Sequence, residues 1–357
     1  MEMAKNIKSH GQKFLIREYN SAKDEQKVIE LWETVFSNEM PFSLWHWKYI
    51  DNPYETAIII CENEKGMPAV LYGGIPFKSN YCGRKIRMIH LSDIMSHPDY
   101  RGSGLFIHTA NSYFDVFGSM DDIFVMYGFP GKYHFDIGKK YLQYSHIGKG
   151  AYYFSGSTSK IADKNVVKRG QIEQIKNPDA CFDSIWQNLS IEYPFSVIRD
   201  SAYMKWRFFN HPKNSYEVWC FKPDKETAYK GDAVNTEYTG YTDYKGYTEY
   251  TEYKGYAVIQ IKDEKAAIVD ILFSKTVADF QNFMGKTAEM LVQRGVKNIE
   301  TWVPGDHFLV DSLTQSGFKH KQEPVGIIPT IRIFDNSLEK NWACENMFYT
   351  MGDGDLL

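Results

Sequence analysis

The stretch HPDYRGSGLF, residues 97–106, sets two glycines one residue apart, behind an arginine and ahead of an apolar run. Between a strand and a helix, such a turn aims unpartnered backbone N–H groups outward at the helix start, where the helix dipole also favours negative charge. Glycine lets the backbone approach a ligand closely, and Arg101 adds a guanidinium able to pair with a phosphate oxygen. A P-loop needs a Lys after the second glycine and a dinucleotide turn needs a third glycine, whereas Leu105 and Ile107 stand at those places. On these residues alone, a pyrophosphate seat and a plain strand-to-helix turn are both open.

Other groups near this turn could move protons. Asp93 alternates with Ile89, Leu91 and Met95 on one strand face, an apolar setting that would raise a carboxyl pKa and suit a general base. Hydrogen bonding to a neighbouring loop is the alternative role for Asp93. His90 and Ser92 fall on the opposite face, so only a bulge would bring both sets to one place. Beyond the next strand, Tyr133 and Tyr141 are phenols that could act as an acid or simply pack. The run GDGDLL carries Asp353 and Asp355, which suit either a solvated segment or a hold on a cationic amine in an interdomain cleft.

The elements that must position these groups follow from periodicity. Residues 14–19 read as a strand, followed by a helix with Val28, Ile29, Leu31, Trp32 and Phe36 on its apolar side. A second helix is predicted over 43–50, stopped before Pro53. Strands are predicted over 56–62, 69–78 and 85–96, a helix over 105–117 and a strand over 122–130. This order is a mixed α/β pattern.

The sequence also repeats itself. WKYIDNP at 47–53 matches WRFFNHP at 206–212, SDIMS at 92–96 resembles VDILFS at 269–274, and PGKYHF at 130–135 resembles PGDHFL at 304–309. The three pairs keep one order, which predicts two copies of one fold, at 1–165 and 166–357, joined near 158–177. A Tyr-rich insertion at 229–256 repeats tyrosine every third residue, a period of neither strand nor helix, and reads as a surface loop or, alternatively, as an aromatic strip that stacks a sugar or another ring.

Bulk properties narrow the function. The 357 residues carry 41 Lys and Arg against 45 Asp and Glu, so no basic field draws in nucleic acid or an anionic membrane, and any phosphate site is local. The five cysteines form no C-x-x-C pair and no even framework, the first residues have no apolar leader, and no apolar run is long enough to span a bilayer. A soluble, reduced, cytoplasmic protein is expected.

A strand ending in HP, then YRGSGL, then an amphipathic helix, within this element order, resembles the acetyl-CoA-binding segment of the GNAT N-acetyltransferase superfamily. The resemblance implies an α+β mixed sheet flanked by helices, in two tandem GNAT-like domains, with acetyl-CoA as cofactor. It implies that Arg101, Gly102, Ser103, Gly104, Leu105 and Phe106 hold the coenzyme A pyrophosphate, while Ile94, Met95 and Ser96 run beside the pantetheine arm. Phe106 replaces the family's small final residue, which implies looser packing there. A backbone N–H near Met95 would polarise the carbonyl, with Asp93 as candidate base and Tyr133 or Tyr141 as candidate acid. The second copy has no R-G-x-G after VDILFSKT, so it is expected to be degenerate. The expected function is acetyl transfer to the primary amine of a small-molecule or sugar-linked acceptor. The alternatives are a tRNA-dependent aminoacyl transferase, for which the chain lacks a basic excess, and a non-catalytic coenzyme A-binding scaffold.

Overall fold

The chain enters the fold through β1 (Ala4–Ser9) and β2 (Gln12–Glu18), a hairpin turning on His10 and Gly11 at φ 46° and 80°. The computed structural model describes residues 4–164, 169–178, 180–224 and 253–354. Of the five apolar positions read on α1 (Ser21–Phe36), Val28, Ile29 and Leu31 are buried, Trp32 is half-buried and Phe36 is exposed at the mouth of a cleft; α2 (Phe42–Tyr49) follows. Strands β3 (Ala57–Asn63), β4 (Pro68–Tyr81) and β5 (Arg84–Ser96) extend the sheet antiparallel. The tight turn between β4 and β5 is Cys82-Gly83, both at positive φ, as short hairpin loops require. Helix α3 (Leu105–Phe117) then crosses over and returns as β6 (Ile123–Gly128), parallel to β5. Helix α4 (Lys132–Tyr141) and the short β7 (Ser145–His146) follow.

A second set of elements repeats this logic. Strand β8 (Ala151–Ser157), helix α5 (Thr158–Lys164), strand β9 (Gln171–Ile175) and helix α6 (Cys181–Leu189) lead to β10 (Phe195–Val197) and α7 (Ser201–Met204). Strands β11 (Glu217–Lys222), β12 (Gly255–Lys262) and β13 (Lys265–Phe273) are antiparallel neighbours. Helix α8 (Val277–Gln293) crosses to β14 (Asn298–Pro304), which is parallel to β13 as β6 is to β5. The remaining elements are α9 (Leu309–Gln315), β15 (Lys319–Lys321), β16 (Thr330–Ile333), α10 (Lys340–Asn346) and β17 (Met347–Phe348).

These strands form two mixed sheets, one ordered β1-β2-β3-β4-β5-β6-β16-β7 and the other β15-β8-β14-β13-β12-β11-β9, with β10 and β17 attached to the first through β4. The segments expected at 1–165 and 166–357 therefore exchange strands. Strand β8 pairs with β14 in the second sheet, and β16 pairs with β6 in the first. The expected junction near 158–177 contains α5 and β9, and β9 is a strand of the second sheet. Of the predicted Tyr-rich insertion, most lies outside the described residues, whereas Tyr256 at its end is fully buried in β12. One apolar core fills the space between α3 and the first sheet; a larger one runs from α1 and α2 through the second sheet.

Candidate active site

Strands β5 and β6 pair from Arg87–Ile123 to His90–Tyr127 and then part. The gap is a cleft of about 260 Å³ whose walls include Phe36, His90, Asp93, Phe129, His134 and Tyr144. Its shape is set by a β-bulge. The β4–β5 register jumps between Leu71 and Gly73, and Asp93, opposite that jump, takes φ 50°, a left-handed conformation in the middle of a strand.

The bulge reverses the alternation of β5. Ile89 packs into the core beneath α3, whereas Met95 packs into the opposite core, so the single apolar face expected for Ile89, Leu91, Asp93 and Met95 does not form. His90, Ser92 and Asp93 all line the cleft instead. Nor is the surrounding of Asp93 apolar. Trp32 Nε1 donates to one of its oxygens at 3.2 Å, Tyr49 Oη donates to the other at 2.7 Å, and Lys48 Nζ pairs with that second oxygen at 2.7 Å. Both helices between β2 and β3 thus clamp the bulge through one carboxylate. Isolated strand periodicity could not reveal this, because the donors lie on α1 and α2.

The turn after β5 has the geometry an anion seat needs. Gly102 and Gly104 adopt φ 78° and 81°, the region that favours glycine. A Cβ at Gly102 would meet nothing within 4 Å, and one at Gly104 only His108 Cδ2 at 4.0 Å, so the ground above the turn is open. No side chain of Gly104 caps α3, and the exposed Arg101 stands beside its start, its Nε reaching the Ser96 carbonyl at 3.4 Å. Ser9 Oγ donates to the Ser103 carbonyl at 2.8 Å, tying the first hairpin to the turn. Ile94 lines the cleft, Met95 is buried, and Ser96 leads into the turn. The Phe106 ring sits 5.9 Å from that of Tyr72 and 5.5 Å from that of His134.

The phenols fall elsewhere than expected. Tyr133 is 82% exposed and Tyr141 52%, and neither borders the cleft. Tyr144, three residues past Tyr141, is buried and does border it. Its hydroxyl bonds that of Tyr72 on β4, its ring lies parallel to the His134 imidazole at 6.2 Å, and burial pushes its pKa up to about 12. Burial also holds His134 down to about 4, so its imidazole is neutral at physiological pH. The sequence carries one trace of this arrangement. Gly138 in α4 has the Tyr144 ring where its Cβ would stand, so only glycine fits.

In the second sheet, the link from β13 to α8 is Ser274-Lys275-Thr276, without glycine. There the Lys275 N–H donates to the Glu192 carboxylate at 2.7 Å. Asp270, the repeat counterpart of Asp93, is fully buried. It accepts from Arg199 Nε at 3.0 Å, Thr350 Oγ1 at 2.7 Å and Tyr256 Oη at 2.8 Å. Arg199 reaches Asp353 at 2.5 Å on its other side. Asp353 is therefore neither solvated nor available to hold an amine, and Asp355 lies outside the described residues.

Residues 16–135 match the family model of the acetyltransferase (GNAT) domain. No curated protein matches the chain by sequence. Among solved structures, the chain is similar to a protein of unknown function from Enterococcus faecalis V583 described as a probable N-acyltransferase, at 14% identity and a TM-score of 0.64, covering 90% of this chain and 73% of that one. It is also similar to a GCN5-related N-acetyltransferase from Anabaena variabilis, at 13% identity and a TM-score of 0.61 over 90% and 73% of the two chains. A third similar structure is a GCN5-related N-acetyltransferase from Kribbella flavida, at 8% identity and a TM-score of 0.61 over 90% and 71%. The chain has a GNAT-type acetyltransferase fold. Among the described residues, no helix is long and apolar enough to cross a membrane.

Proposed function

We propose that this protein is an acetyl-CoA-dependent N-acetyltransferase that acetylates a primary amine, and that it works in the cytoplasm. The observation that carries the reading is the parting of β5 and β6 directly above a double-glycine turn opening α3. In this reading the N–H groups from Gly102 to Phe106, with Arg101, receive the pyrophosphate, and β5 from Ile94 to Ser96 flanks the pantetheine arm. The open space over Gly102, and a start of α3 where the Leu105 N–H has only a long 3.5 Å contact to Ser103 Oγ, fit such a group. Acetyl-CoA supplies an activated acetyl group and a thiol leaving group.

The acceptor amine attacks in its neutral form, the C–S bond breaks as the C–N bond forms, and the proton lost from nitrogen passes to solvent. The protein's own groups act on the thioester. Tyr144 donates the proton that the departing sulfur needs, and the bulge around Asp93 aims a backbone N–H of β5 at the carbonyl. Asp93, already holding three donors, keeps the bulge in place. The second sheet and its helices are a second copy of the domain that has lost its phosphate turn.

Calorimetric titration of acetyl-CoA into the wild type and Gly104→Asp tests the seat, since a carboxylate there repels the pyrophosphate. Saturable wild-type binding, lost in the folded variant, supports the seat. Release of thiol in the presence of glucosamine, tyramine, spermidine or lysine amide then supports transfer. Binding without thiol release for any of these amines points to a coenzyme A-binding scaffold. No binding by the wild type ends the acetyltransferase reading.

A further inference from the structure

We propose that Arg332, brought into the first sheet by the exchanged strand β16, is a positioning residue that sets the acidity of Tyr144 through Tyr72. The inference rests on Tyr144 being the proton donor proposed above. Arg332 is half-buried, and its guanidinium lies 4.0 Å over the Phe114 ring and 4.8 Å from the ring of Phe334. Its Nε has no hydrogen-bond partner among the described residues, and the exposed Asp115 acts on its charge only from a distance. Withdrawal from water lowers its pKa from the usual arginine value, so holding a cation here costs stability.

Against that cation stands the Phe114 ring, and on the far side of it lie buried phenols. The Phe114 ring meets the Tyr72 ring edge-on at 5.4 Å, and the Tyr72 hydroxyl bonds the Tyr144 hydroxyl. The groups around Tyr144 are Tyr72 from β4, Tyr113 from α3, whose ring is 4.9 Å from that of Tyr72, His134 from α4, and Arg332 from β16. Burial raises the pKa of both Tyr72 and Tyr144, and the positive charge of Arg332 opposes that rise in each. When Tyr144 gives up its proton, its O–H bond breaks and an S–H bond forms on the leaving thiol. The phenolate left behind accepts the Tyr72 hydroxyl and faces the Arg332 cation until solvent returns the proton. A charge absent in the resting protein and present during turnover explains an arginine kept here with no ion pair among the described residues.

The direct test needs no substrate. With tetrafluorotyrosine at position 144, whose ring fluorines bring the phenol midpoint well below that of tyrosine, a fluorine NMR titration reads that midpoint while the protein stays folded. A cation favours the phenolate, so Arg332→Met is expected to move the midpoint up by about one pH unit, and Arg332→Lys to restore most of it. An unchanged midpoint in folded Arg332→Met overturns the proposal. In turnover with the amine from the panel that releases most thiol, Arg332→Met lowers kcat roughly tenfold while the KM for acetyl-CoA stays within about twofold. A midpoint that moves while the wild type releases no thiol upholds the coupling and overturns the transferase reading. A wild type that turns over with a midpoint indifferent to Arg332 overturns only the coupling.

Discussion

The indole of Trp47 donates to the carbonyl of Trp206, and the indole of Trp206 donates to the carbonyl of Trp47, each at 2.8 Å, with the rings stacked 4.9 Å apart. The two tryptophans open the matching segments WKYIDNP and WRFFNHP, so the strongest repeat in the sequence is also a reciprocal contact. Each ring closes off the other's backbone inside the larger core.

Replacing Trp47 by Phe keeps an aromatic ring but leaves the buried Trp206 carbonyl without its donor. A loss of about 1–3 kcal/mol in urea unfolding is expected, and the Trp47→Phe, Trp206→Phe double variant loses less than the sum of the two singles. Strict additivity would mean that the two bonds are energetically independent.

Gly102→Ala and Gly104→Ala place a Cβ in open space but in a left-handed backbone. The expected cost is strain, about 1–2 kcal/mol each, without a clash. Thermal unfolding checks this, and a neutral effect would show that the turn relaxes readily.

Tyr144→Phe is expected to lower kcat by about 10²-fold or more, whereas Tyr133→Phe and Tyr141→Phe, whose side chains face solvent, leave it near the wild-type value. Steady-state thiol release distinguishes the three. Loss of turnover in Tyr133→Phe with Tyr144→Phe unaffected would move the acid to the exposed phenol.

Asp93→Asn leaves Lys48 buried beside a neutral amide, and a loss of about 3 kcal/mol is expected in urea unfolding. Turnover by the protein that remains folded should fall modestly. Abolished turnover with intact folding would restore Asp93 as the base.

Burial holds His134 down to about 4 and His307 down to about 3, from an ordinary value near 6.5. Both imidazoles bind protons more tightly in the unfolded chain, so their contribution to stability is complete above pH 6.5 and is lost as the pH falls toward 4 and 3. The slope attributable to each is at most about 1.4 kcal/mol per pH unit. His307→Phe should therefore flatten the acid side of the stability profile, as measured by urea unfolding between pH 7 and 4. An unaltered slope would show that His307 does not titrate in this range.

What the sequence determined by itself was local. Apolar spacing placed α1, α3 and strands β2 to β6, and Pro53 marked the end of α2, because each such element buries one face whatever its partners are; it did not mark β1, β7, β10, β16 or β17 of the first sheet. The two glycines marked the turn, since positive φ demands them at any such site. Tertiary structure decided the rest. Alternation along β5 could not foresee the bulge at Asp93, which is held by three donors from α1 and α2. Spacing in and just after α4 could not tell Tyr144 from Tyr133 and Tyr141, because only packing against Tyr72, His134 and Gly138 separates a cleft phenol from an exposed one. Nor could any local pattern show that β16 and β8 change sheets, since strand pairing is a contact between distant residues and leaves no periodicity in either segment.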